Sequence, residues 1–127
     1  MRIWREERGQ SLVEFALVLP VLLLILVGIF NFGQLFYSDI VINEAARDAA
    51  RYASIGVSQT EILQVIGQDC QTLNVSQVNT SISQPYPQSS GMPVTITITY
   101  PVPIMLPLSL FLPSTIQLHA VMTMRVE

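Results

Sequence analysis

Between Arg8 and Asp39 the only charged side chain is Glu14, and residues 15–30 (FALVLPVLLLILVGIF) are unbroken apolar sequence. About 20 such residues cross the ~30 Å hydrocarbon core of a bilayer, so the uncharged stretch 15–38 predicts a membrane-spanning helix. Arg2, Arg5 and Arg8 precede it, whereas Asp39 and Glu44 follow before the next Arg, Arg47. That charge asymmetry predicts a single-pass anchor with its N-terminus in the cytoplasm and residues 39–127 outside. The apolar stretch exceeds the 7–15 residues of a secretory signal, and residues 31–38 (NFGQLFYS) contain no A-x-A pattern. Both points argue against conventional signal cleavage.

The helical pattern continues past the span into DIVINEAARDAARYASIG. Glu44, Arg47, Asp48 and Arg51 recur at helical spacing and share one face as opposite-charge pairs. Ala45, Ala49 and Ala53 form a narrow ridge beside Ala46 and Ala50, and Gly56 is a stop signal. A helix from Ser11 to Ser54 would run roughly 66 Å at 1.5 Å per residue, about twice the bilayer core. Pro20 is expected to kink it and Gly28 to loosen it.

Beyond Gly56 the period changes. Ser58 and Glu61 make a capping box opening a short helix (EILQVIGQDC) whose Ile62, Leu63, Val65 and Ile66 give an apolar side. Residues 74–84 predict a polar strand with a bulge near Ser76 and Gln77. Val94, Ile96, Ile98 and Tyr100 alternate with Thr95, Thr97 and Thr99; Ile116, Leu118, Ala120, Met122, Met124 and Val126 alternate with more polar positions. These are half-buried strands, and residues 85–93 (PYPQSSGMP) read as a hairpin connection. The expected fold is therefore α+β. A roughly three-stranded antiparallel sheet and a short helix pack on the exported half of a long N-terminal helix. Residues 101–113 (PVPIMLPLSLFLP) hold four Pro and are expected not to form a strand, with a helical turn starting at Pro107. This stretch reads either as a flap over the core, the favoured reading, or as an exposed apolar patch. In the second case Leu108 and Phe111 would meet a neighbouring subunit or the membrane surface.

Composition sharpens this picture. Of 127 residues 50% are apolar and 12% charged, against about a quarter charged in soluble domains. Lysine is absent and the net charge is −3, which makes nucleic acid an unsuitable partner. One Cys excludes an internal disulfide framework, and one His excludes a histidine-rich metal site. His119 falls on the polar parity of its strand. Cys70 ends the short helix, as a small buried hydrophobe or, in an oxidising compartment, as a subunit cross-link. Ser89 and Ser90 have no base nearby in sequence, and there is no Gly-rich phosphate loop. Neither an enzyme nor a cofactor is expected.

The junction RGQSLVEFALVLP is the most informative stretch: a basic leader ends in Gly9, and Glu14 stands five residues later at the lip of the apolar run. This resembles the processing site of type IV pilins and pseudopilins. With GQSLVEFALVLPVLLLILVGIFNFG, NEAARDAARYAS and the terminal LHAVMTMRVE, the chain is more specifically similar to TadE-like minor pseudopilins of the tight-adherence (Tad/Flp, type IVc) pilus. The resemblance implies a prepilin leader over residues 1–9, a hydrophobic helix over 10–55 and an exported domain over 56–127. It implies cleavage between Gly9 and Gln10 by a prepilin peptidase, and Glu14 as the assembly residue that meets a neighbouring subunit's free amine. An intramembrane carboxylate fits such a role; the alternative is one snorkelling to the headgroups. Phe15 stands where many Tad-type major pilins carry Tyr, and the chain is longer than they are; both differences favour a minor subunit.

The residues singled out are thus Gly9 and Gln10 for cleavage and Glu14 for assembly. Candidate subunit contacts are Ala45, Ala49, Ala53, Leu108 and Phe111. The implied partners are the prepilin peptidase, other pilins and pseudopilins, the inner-membrane assembly platform and the lipid bilayer. The implied location is the bacterial inner membrane, with incorporation into a surface pilus, and the implied roles are pilus assembly, initiation, or adhesion at a tip. The alternative is a permanently anchored single-pass protein whose domain outside the cytoplasm binds a ligand or partner.

Overall fold

A long apolar run, a capping box and two alternating stretches have to become specific elements, and a computed structural model describes them over residues 3–83 and 89–127. Helix α1 (Ile3–Ser54) runs without interruption through Pro20, and begins earlier than expected, before Gly9. Helix α2 (Gln59–Asp69) opens on Ser58, whose Oγ accepts from Glu61 N while the Glu61 carboxylate accepts from Ser58 N, so the capping box is complete. Three strands follow, β1 (Asn79–Ile82), β2 (Pro93–Pro103) and β3 (Thr115–Arg125), in one antiparallel sheet of order β1-β2-β3. The α+β architecture expected from the sequence is the one observed. Much of the expected 85–93 connection lies outside the described residues; its end is a turn at Gly91, whose φ of 84° only glycine adopts freely.

The chain divides into two compact units, residues 1–33 with 104–114, and residues 34–103 with 115–127. In the second unit Ile42, Ala45, Ala46, Ala49, Ala50 and Ala53 of α1 share a core with Ile62 and Ile66 of α2 and with Val94, Ile96, Ile98, Tyr100 and Val102 of β2. Each large aliphatic side chain fully buried there contributes roughly 1.5–3 kcal/mol, and the alanines keep the α1 face narrow. Glu44, Arg47, Asp48 and Arg51 occupy the exposed face of the same helix, as their spacing predicts. Leu63, expected on the apolar side of α2, is exposed.

Two expectations are corrected. Residues 74–84 are not one bulged strand: Val75–Gln77 form a 3-10 turn, and β1 has only four residues. The Ser76 hydroxyl lies 2.6 Å from Asn74 Oδ1, and Asn74 N donates to the Tyr100 hydroxyl at 3.3 Å. The first of these is a local polar contact of the kind that competes with strand pairing. Pro101 and Pro103, expected outside any strand, belong to β2 and pair in register with Gln117 and Thr115. Backbone direction explains this. Thr95 exchanges hydrogen bonds with Ser83, donating to its Oγ and accepting from its N, so the odd-numbered residues of β2 turn their backbone groups toward β1. The β1 pairing ends at Thr99, so Pro101 and Pro103 aim their missing N–H at a side with no partner strand. The even-numbered side stays bonded to β3, as Val126 N donates to Met92 O and Ile104 N to Ser114 O.

Helix α1 ends as Gly56 predicts. Val57 N donates to Tyr52 O and Gly56 N to Ala53 O, and Gly56 has φ 79°, which together make a Schellman motif. A Cβ at Gly56 would meet nothing within 4 Å, so its cost is purely conformational. Gly56→Ala should therefore lower stability by about 1–2 kcal/mol, whereas Gly67→Ala, inside α2 and equally open, should raise it by about 0.4–1 kcal/mol. Denaturant unfolding of the full chain in mild detergent checks both. Equal effects of the two substitutions would contradict this account of the helix end.

Candidate functional site

The residues implicated in processing lie within two turns of α1. Gly9, Gln10 and Glu14 are all exposed. Gln10 Nε2 donates to Glu14 Oε1 at 3.3 Å, one helical turn apart. The carboxylate therefore lies on the same side of the helix as the residue that cleavage would make N-terminal. Nothing within 4 Å would obstruct a Cβ on Gly9, so packing inside the chain does not demand glycine there. From Leu12 to Leu26 the helix exposes apolar side chains on every side. That is the pattern of a helix surrounded by lipid or by other helices.

Sequence reasoning missed Asn31. It is 4% exposed at the end of the apolar run, and it uses both ends of its amide. Nδ2 donates to Val27 O at 2.8 Å, and Oδ1 accepts from Met105 N at 2.8 Å. The only sequence signal was a hydrogen-bonding side chain inside an otherwise apolar helix, and its partner lies 74 positions away. Through Met105, Asn31 anchors the flap. Residues 104–114 take no part in the core described above and group with residues 1–33, so the favoured expectation of a flap over the core is corrected. The expected turn at Pro107 is present, as a 3-10 helix over Leu108–Leu110. Leu108 is half-buried and Phe111 exposed.

Ala45, Ala49 and Ala53, expected as subunit contacts, are buried in the chain's own core, where the absence of larger side chains lets the other elements approach. Cys70 is fully buried, and burial raises its thiol pKa, followed by the Asp69 charge; the folded chain does not offer it for cross-linking. His119 is exposed on the wet face of β3, opposite Thr99. Among the described residues no group of three or more His, Cys, Asp or Glu could hold a metal ion.

Residues 9–51 match the family model described as TadE-like protein. The match begins at Gly9 and runs through the apolar helix to Arg51, and it is consistent with a TadE-like protein of the Tad pilus system. One helix, Arg8–Ser54 in its described part, is long and apolar enough to cross a membrane, and together with the family match it fits a membrane-anchored, pilus-associated protein. No curated protein and no solved structure matches the chain.

In the second unit Asp69 closes α2, and its carboxyl pKa is raised above the ordinary 3.8 by burial first, then by Asp48 and Glu44 of α1. A carboxyl with a raised folded pKa binds its proton more tightly in the native than in the unfolded chain. The stability it contributes is full below pH 3.8 and is lost as pH rises through the folded value. Asp69→Asn should therefore raise the Tm at pH 7 and leave it unchanged near pH 3. A Tm gain of the same size at both pH values would contradict this origin.

Proposed function

We propose that this chain is a minor pseudopilin of a Tad-type pilus. It is made with a basic leader and cut between Gly9 and Gln10 by a prepilin peptidase. It is then drawn from the inner membrane into the pilus or its base, through contacts with other pilins and the assembly platform. Its role is in assembly, initiation or tip adhesion, and it performs no chemistry of its own. The observation that carries this reading is the position of the family match: it starts at Gly9, the last residue of the leader, and takes in Glu14 and the whole apolar helix. The geometry supports it. Glycine at position 9 has no packing role within the chain, and Glu14 is exposed at the lip of the apolar run.

In this reading the driving force is the exchange of lipid for helix–helix contacts, steered by a charge pair between Glu14 and the free amine of a neighbour. Cleavage removes Arg2, Arg5 and Arg8 with Glu6 and Glu7, leaving three Arg against seven acids. Loss of those three arginines removes the charge that resists extraction of the N-terminus. The bond to be cut lies inside α1, so the peptidase has to open the helix locally; Gly9 helps, because glycine disfavours a helix by about 1 kcal/mol relative to alanine. Gln10 introduces a control point: cyclisation of an N-terminal glutamine removes the positive charge that Glu14 is to meet.

The N-terminus of protein recovered from membranes and from sheared surface material tests the proposal. A start at Gln10, abolished by Gly9→Val, is expected. Glu14→Gln should leave cleavage intact and remove most of the chain from the sheared fraction. A start at Met1 in every fraction would replace this reading with that of a permanently anchored binding protein.

A further inference from the structure

We infer that residues 104–114 form a lipid-embedded wedge, entering the acyl region of the leaflet on the C-terminal side of the span and lying along α1. Pro107 lines a groove of about 450 Å3 with Pro20, Leu23, Leu24 and Val27. Those four residues sit in the middle of the apolar run. The run before Pro20 begins at Phe15 and supplies only about 8 Å of helix at 1.5 Å per residue, against the ~30 Å that a span needs. The helix cannot cross a bilayer without placing residues 20–27 in hydrocarbon, and a segment packed against them shares that surrounding.

The flap is built for it in two further ways. Its most exposed large side chains are apolar, with Leu106, Leu110 and Phe111 exposed to 71%, 74% and 84%. No Asp, Glu, Lys or Arg occurs between Asp69 and Arg125. Part of its backbone is also met by protein groups. Ile104 N donates to Ser114 O, and Leu110 N to Pro107 O. Phe111 N and Leu112 N both donate to Leu108 O. Pro107 and Pro113 have no N–H to satisfy. Met105 N is supplied by Asn31, whose amide is turned inward from the helix that carries it. Irregular backbone survives at membrane depth only when its polar groups are met by protein.

The inference rests on the membrane anchor and not on the processing reading, and the test separates it from both. Single-tryptophan reporters are placed in full-length Trp4→Phe protein, one as Phe111→Trp and one as Leu17→Trp on the exposed side of the span. Each is reconstituted into phosphatidylethanolamine–phosphatidylglycerol vesicles with or without bromine on the acyl chains. The expected result is blue-shifted emission that loses most of its intensity to acyl-chain bromine at both positions, with Asn31→Leu reducing the quenching at position 111 alone. Quenching at position 17 with red-shifted, unquenched emission at 111 would leave the anchor standing and overturn the wedge. Blue-shifted but unquenched emission at 111 would put a protein surface there and overturn it equally. No quenching at either position would remove the anchor and the wedge together.

Discussion

A single helix here has to satisfy two surroundings, and the remaining structure follows from how it does so. From Leu12 to Leu26 α1 is apolar on all sides and its side chains stay largely exposed, with Pro107 beside Pro20, Leu23 and Leu24. From Ile42 to Ala53 the buried stripe of the helix is narrow, made of Ile42 and five alanines, with charges opposite. Burying an alanine face releases little transfer free energy per residue. The second unit therefore depends on β2 for its large aliphatic contribution, with Val94, Ile96, Ile98 and Val102 all essentially fully buried. The sheet is anchored to the helix end as well, since Glu127 N donates to Ser54 O and so fixes the far end of the chain beside the Schellman turn.

The two chemically distinctive places on the molecule lie on the same helix. At one end a glycine, a glutamine and a carboxylate occupy consecutive turns with no packing constraint on the glycine. Further along, a buried asparagine holds an apolar flap. If the helix is to leave the bilayer for a filament, the flap must leave with it or let go of it. Under the proposed pseudopilin role, the bonds through Asn31 would then act as a latch on the step assigned to Glu14, and residues 104–114 would have to move or detach in that step.

How far the sequence could be read depended on whether the signal was local. The capping box at Ser58, the stop at Gly56 and the parity of β2 and β3 are each set by neighbours a few positions away, and each was legible. The β2 prolines were not, because whether Pro101 breaks a strand depends on where β1 begins, which follows the turn at residues 75–77. The alanine ridge was visible, but its partner within the chain was not: spacing shows that a helix face is small, not whether the chain's own sheet or another subunit covers it. Asn31 was missed for the same reason, since the group that makes it structural is a backbone N–H far along the chain. Gly9, Gln10 and Glu14 form a linear motif that falls inside the family match, whereas the flap's attachment is tertiary and left no local signal.

The proline placement in β2 has a consequence for how the sheet can grow. Past Thr99 the open side of β2 offers carbonyls but, at positions 101 and 103, no donors, so an incoming strand would find half of its ladder missing. β1 is too short to template much pairing on its own outer edge. That leaves the eleven-residue outer edge of β3 as the one long stretch of unpaired backbone in the described sheet, and it carries a single full charge, at Arg125. Strand addition, whether useful or aggregative, is thereby confined to one side of the molecule.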